Sequence, residues 1–140
     1  VLDRKVYGRA LSAAIAAVLP ADVSLIVLAG FLSIVTEPLL TRFAGRIINL
    51  HPALLPEYGG PGMYGANVHR AVIAAGEPES GCTVHIVDAG TDTGPILLQR
   101  RVPVLPSDTS ATLAARIAPA EHAAIVDAVG LMLKAGNDRR

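Results

Sequence analysis

The sequence predicts one α/β domain: a mostly parallel sheet covered on both faces by helices and finished by a β-hairpin. Three observations carry that prediction. The 140 residues are 51% hydrophobic and 17% charged, enough apolar matter for a real core and too much for a disordered chain. Two short apolar runs, Val23–Ala29 and Arg46–His51, read as buried parallel strands. Segments with helix character alternate with them, as in a sheet flanked by helices.

Each element has a local reason. Lys5–Leu19 is rich in Ala and Leu and closed by Pro20, which predicts a helix. Gly30 ends the first strand. Thr36 is placed to cap a short helix through Phe43, with Glu37 and Pro38 in its first turn. Pro52 stops the second strand, and Pro52–Gly65 is a loop dense in Pro and Gly. Ala66–Ala75 is helical, with Gly76 as its stop. Thr83–Asp88 and Pro95–Val104 read as a hairpin around Ala89–Gly94. Asp108 or Thr109 caps a final helix that runs to Leu133 with a break near Pro119. No linker or repeat interrupts residues 1–140, which read as a single domain.

Composition narrows the function. A net charge of +0 argues against a non-specific nucleic-acid partner, which needs a basic face. The apolar stretches are too short or too interrupted to span a membrane, and no signal peptide opens the sequence. One cysteine, Cys82, excludes a disulfide framework and a CxxC zinc site, and suits a cytoplasmic protein. The four histidines lack metal-ligand spacing, so no metal is expected. P-loop, G-x-S-x-G and H-E-x-x-H patterns are missing.

Open α/β sheets bind ligands beyond the carboxyl ends of their strands, which directs attention to Gly30–Val35, Asn49–Gly65 and Asp88–Gly94. Asn49 and His51 are two apart on one strand and project to one face. An amide and an imidazole side by side can donate two hydrogen bonds to one oxyanion; two solvated polar residues at a strand end is the competing reading. Asp92 lies in a loop with Gly90 and Gly94. A carboxylate there would orient His51 and favour its imidazolium, though an ordinary Asp/Gly turn fits the same letters. Gly60-Pro61-Gly62-Met63-Tyr64-Gly65 matches G-x-G-x-x-G but follows a loop holding two prolines, not a strand. It reads as a substrate-facing loop or a plain connector, not a dinucleotide site. His69 is read as a helix-surface residue and Cys82 as inert, while His85 either lines the site or is a satisfied core histidine.

Ile48-Asn49-Leu50-His51-Pro52-Ala53-Leu54-Leu55-Pro56, with Val84–Asp88, Asp92–Ile96 and Val27–Phe31, resembles the signature of folate-dependent formyltransferases, a Rossmann-like fold. The likeness runs from about Asp3 to Leu133. The Met63-Tyr64-Gly65 loop with Val68-His69 points to the branch that formylates the amine of glycinamide ribonucleotide in purine synthesis. The resemblance implies that the family's catalytic residues fall on Asn49, His51 and Asp92, with 10-formyltetrahydrofolate as co-substrate. It implies a folate pocket along Phe31, Leu32, Ser33, Ile34, Val35, Leu40, Ile47, Val87, Asp88 and Gly90. Pro52, Met63, Gly65 and Glu121 would meet the nucleotide substrate, Glu121 at the ribose hydroxyls. Ser33 stands where relatives often carry Arg or Lys. The family's amino-terminal strands and Gly-rich phosphate loop are not found in the sequence, which reads as a member lacking that segment. Formyltetrahydrofolate deformylase, the catalytic domain of methionyl-tRNA formyltransferase and a non-catalytic folate-binding fragment are the competing readings. A homodimer is compatible with the sequence.

Overall fold

The structure is a computed structural model that describes residues 1–138. Its sheet runs in the order β1 (Ile26–Ala29), β2 (Ile47–His51), β3 (Glu79–Ile86), β4 (Ile96–Pro103). β1 and β2 are parallel, whereas β2–β3 and β3–β4 are antiparallel. The α/β class, the flanking helices and the hairpin agree with the sequence reading. The parallel share is smaller than expected, because among the described residues only β1 and β2 are joined by a crossover.

Alternation along the strands sorts the core into two layers. Ile48, Val84 and Cys82 face one side and pack with Leu113, Ile117, Ala124 and Ala128 of the last helix, α5 (Ser110–Asp138). Helix α4 (Ala66–Ala74) contributes Val72 to the same layer. Ile26 and Ile47 face the other side, where they meet Ala16 of α2 (Leu11–Val18) and Leu39 of α3 (Leu39–Arg42). Phe43 is buried there with two guanidinium groups near its ring, Arg42 at 4.9 Å and Arg46 at 5.0 Å from the ring centre. Those same guanidinium groups bind the carbonyls of Ala16, Leu19 and Val23, tying α3 to α2.

Several boundaries depart from the sequence reading. The first helix is divided: α1 (Arg4–Tyr7) and α2 are separated by a 3₁₀ turn at Gly8–Ala10, because Gly8 leaves the helical region with φ 51°. β1 starts at Ile26, not Val23, since the Val23 carbonyl is taken by the Arg46 side chain at 2.8 Å. Thr36 does not cap α3; its N–H donates to Ser12 Oγ, and Pro38 holds the cap position. Instead the Glu37 carboxylate accepts from the Thr41 N–H and hydroxyl.

α5 continues through Pro119 without the expected break. A helical proline costs about 3 kcal/mol, but Leu113 and Ile117 before it and Ala124 and Ala128 after it are all fully buried on one layer. Thr109 caps α5 by accepting from the Thr112 N–H. Asp108 is bound by Arg116, Thr112 and the Leu105 N–H, fixing the strand-to-helix corner. No described helix is long and apolar enough to cross a membrane.

One buried hydroxyl fixes the chain where it leaves β2. Thr83 Oγ1 donates to the Ala53 carbonyl at 2.7 Å and accepts from Leu55 N–H at 3.0 Å. Gln99 from β4 completes the cluster by donating to the Leu55 carbonyl at 2.8 Å. Thr83→Val keeps the shape but leaves those backbone groups buried and unpaired, so it should lower unfolding free energy by about 1–3 kcal/mol. Urea denaturation checks this; an unchanged midpoint would mean that the turn holds without the hydroxyl.

Candidate active site

Strand register assembles the site. Asn49 pairs with His85 and His51 with Thr83, so all four side chains share one sheet face. This is the face that carries Ile47, but beyond the cover of α2 and α3. A register shift at Val84/His85 skips Leu97, placing a bulge beside His85.

The side chains then bind one another. His51 Nε2 donates to the Tyr58 carbonyl at 2.7 Å, and its Nδ1 lies 3.6 Å from Asp92 Oδ2. Both ring nitrogens face acceptors, so an imidazolium meets both with an N–H and a neutral ring only one. The 3.6 Å separation is longer than a hydrogen bond, leaving Nδ1 available to a group seated beside it. His85 Nδ1 faces the Ile86 carbonyl at 3.2 Å and must donate to it. His85 Nε2, 3.2 Å from the Asn49 amide nitrogen, accepts from that amide in the neutral ring and in the imidazolium carries the N–H that faces Asp92. Asn49 keeps a second amide N–H for another partner.

Asp92 lies between the two imidazoles, with Oδ1 3.5 Å from His85 Nε2. Its backbone sits in the left-handed region at φ 58°, which Asp tolerates better than most residues. Gly94 permits the close return of the loop, since a Cβ there would overlap the Ile86 carbonyl. Asp88 closes the loop by accepting from the Gly90 N–H and the Thr93 hydroxyl. Burial works against the charged Asp92, but the His85 contact, the Gly60 N–H at 3.0 Å and the two imidazoles outweigh it. The carboxyl is held below its ordinary pKa.

A cavity of about 500 Å³ opens beyond the carboxyl ends of β1 and β2. Asn49, His51 and Asp92 line it, as do Phe31, Leu32, Ser33, Ile34, Val35, Val87, Asp88 and Gly90. Pro52, Met63, Gly65 and Glu121 line it as well, and burial raises the Glu121 pKa. Leu40 and Ile47 do not line the cavity. They pack in the core layer around Phe43, behind the Phe31–Val35 wall. A shallower groove lined by Arg4, Lys5 and Arg9 meets the cavity at Ser33 and Ile34. The described residues contain no group of His, Cys, Asp and Glu that could hold a metal.

Four histidine and loop positions refine or correct the sequence reading. His85 is buried and also lines the cavity, so both readings of it meet in one residue. His69 is buried at 6% exposure, not on the helix surface, because α4 turns its Val68–His69 edge inward. Tyr58 and Gly60 hold His51 and Asp92 through backbone atoms, which no side-chain pattern reveals. Cys82 is fully buried, and burial pushes its thiol pKa up to about 11, which keeps it unreactive.

Comparison with known proteins gives a consistent result. Residues 4–129 match the formyl transferase family. A chloroplastic phosphoribosylglycinamide formyltransferase of Vigna unguiculata is 49% identical over 108 residues, covering 77% of this chain and 35% of that protein. The crystal structure of glycinamide ribonucleotide transformylase 1 from Symbiobacterium toebii superposes with TM-score 0.82 at 42% identity, over 91% of this chain and 59% of that one. A formyltransferase from Anoxybacillus kamchatkensis, crystallised with UDP-4,6-dideoxy-4-formamido-L-AltNAc and tetrahydrofolate, superposes with TM-score 0.68 at 29% identity, over 79% of this chain and 56% of that one. The chain thus spans between 35% and 59% of the length of these relatives.

The depressed Asp92 pKa makes a signed prediction. Its contribution to stability is complete above the ordinary carboxylate pKa, about 3.9, and is lost as pH falls through the lower folded value. Asp92→Asn should therefore be less stable than the parent at neutral pH, with the gap closing in acid. Thermal melts across that range check it; a gap that does not change with pH would contradict the assignment.

Proposed function

The chain belongs to the formyl transferase family, and from that premise we propose that it moves a formyl group from 10-formyltetrahydrofolate to the amine of glycinamide ribonucleotide. The observation that supports this most is that Asn49, His51 and Asp92 line one cavity, with an Asn49 amide N–H and His51 Nδ1 not taken up by a hydrogen bond. In this reading the substrate amine attacks the formyl carbon. A C–N bond forms and the carbonyl electron pair moves onto oxygen. The free amide N–H of Asn49 and the Nδ1–H of His51 donate to that oxyanion. Collapse of the adduct breaks the bond to the folate nitrogen, which leaves with a proton while the attacking amine loses one. Asp92 keeps His51 oriented and balances its charge, and a water beside Asp92 carries the proton between the two nitrogens.

The walls fit the same substrates. Phe31–Val35 and the Val87–Gly90 backbone offer apolar surface with backbone polar groups, as a pteridine ring requires. Ser33 carries no charge for the anionic tail of the folate; Arg4, Lys5 and Arg9 supply positive charge in the adjoining groove. Glu121, held at the cavity by α5, would accept from the ribose hydroxyls, with Met63 and Gly65 closing over the nucleotide.

Absorbance of a 10-formyl folate analogue, followed with and without glycinamide ribonucleotide, tests the reading. Release only with the nucleotide present is expected. Release without it would indicate a hydrolase. Asn49→Ala should lower kcat by roughly 10²–10³-fold, the cost of one oxyanion donor. His51→Ala should abolish transfer while folate affinity holds. Equal loss of binding and turnover would contradict the assigned roles.

A further inference from the structure

We propose that Glu77, which does not line the cavity, sets the orientation of the His51 imidazole by holding Tyr58, and so acts as a positioning residue for the proposed transfer. The inference rests on that reading of the site. Two contacts carry it. His51 Nε2 donates to the Tyr58 carbonyl at 2.7 Å. The Tyr58 hydroxyl donates to Glu77 Oε1, also at 2.7 Å. Carbonyl and phenol belong to one residue, so the side-chain contact fixes where the backbone acceptor sits.

Both ends of this connection need explanation. Tyr58 has φ 55°, an unfavourable conformation for a bulky non-glycine residue. The chain after it, Gly59-Gly60-Pro61-Gly62, offers little stiffness of its own. Tyr58 therefore keeps its position through its ring, which packs against the α5-side core, and through its hydroxyl. Gly60 N–H, bound to Asp92, fixes the next point along the same loop.

Glu77 is in turn placed by a rigid helix end. α4 closes with a Schellman arrangement: Gly76 N–H donates to the Ile73 carbonyl and Glu77 N–H to the Val72 carbonyl. Gly76 at φ 71° supplies the left-handed residue that arrangement needs. Val72 is buried in the main core. The path from core to catalytic ring is thus α4 end, Glu77, Tyr58, His51. Glu77 holds the phenol pKa up at about 12, so the hydroxyl remains a donor throughout the working pH range.

The test uses Glu77→Ala, Glu77→Gln and Tyr58→Phe in the full chain. Glu77→Ala and Tyr58→Phe should each lower kcat by roughly 10- to 100-fold, the scale of a misplaced catalytic group. KM for the formyl folate should stay within about 2-fold, which a general loosening of the fold would not spare. Glu77→Gln keeps an acceptor oxygen and should restore most of kcat. The double variant should be no worse than either single one, since both break the same connection. Crystal structures of the Glu77→Ala and parent proteins give a readout independent of turnover: the His51–Tyr58 contact should be present in the parent and lost or lengthened in the variant. An unchanged contact with unchanged kcat would overturn the proposal, as would a loss that Gln fails to rescue. If the parent does not transfer formyl groups, the functional reading fails and the structures alone decide the role of Glu77.

Discussion

The antiparallel pairing of β2 with β3, in the register that sets Asn49 opposite His85, is the constraint on which the site depends. Side chains alternate with a period of two, so a slip of one residue would turn His85 into the α5-side core and bring Val84 opposite Asn49. The apolar alternation enforces the correct choice. Cys82 and Val84 of β3 are both fully buried under α5, and each would have to exchange that environment for the polar face in the slipped register. Burying an aliphatic side chain such as Val84 contributes about 1.5–3 kcal/mol, more than a weak β-propensity preference. The hydrophobic layer on one face thus determines the polar geometry of the other.

Two loops complete what the register begins, and each is fixed from a different side. The chain leaving β2 is bound by Thr83 and Gln99, and its later part is held through Tyr58 and Gly60. The loop between β3 and β4 is shaped by Asp88, Gly94 and the left-handed Asp92. The two meet where Asp92 accepts from Gly60. Asp92 consequently has two jobs in one position: it joins the loops and it faces both imidazoles. Its charge is sustained by those neighbours against the cost of burial, so the local fold and the electrostatics of the cavity stand or fall together.

Much of this was legible in the sequence. The β2 run ending in Asn49-Leu50-His51 shows a buried strand with two polar residues on one face, and strand-end placement directs attention to them. The Asp/Gly composition of residues 88–94 marks a tight loop able to aim a carboxylate. What was not legible has physical reasons. For His85 the sequence leaves a site-lining and a core reading open, because the register that sets it opposite Asn49 is a long-range property and its flanking Val84 and Ile86 look the same around any buried histidine. Tyr58 and Gly60 reach His51 and Asp92 through backbone atoms, a contact that residue type does not signal. Leu40 and Ile47, expected at the folate pocket, pack instead in the apolar layer with Ala16, Leu39 and Phe43. Pro119 looked like a helix break because local propensity says so, and packing on both sides of it overrides that preference.

The central claim is that Asn49 and His51 form one site complementary to a tetrahedral oxyanion, held in shape by Asp92. The most direct measurement is the affinity of a folate analogue carrying a hydrated ketone in place of the formyl group, compared with the same analogue carrying a methylene there. A site built for the adduct should favour the hydrate by about 10²-fold or more, and that preference should vanish in Asn49→Ala while affinity for the methylene analogue stays unchanged. Equal binding of the two analogues to the parent protein would contradict the claim.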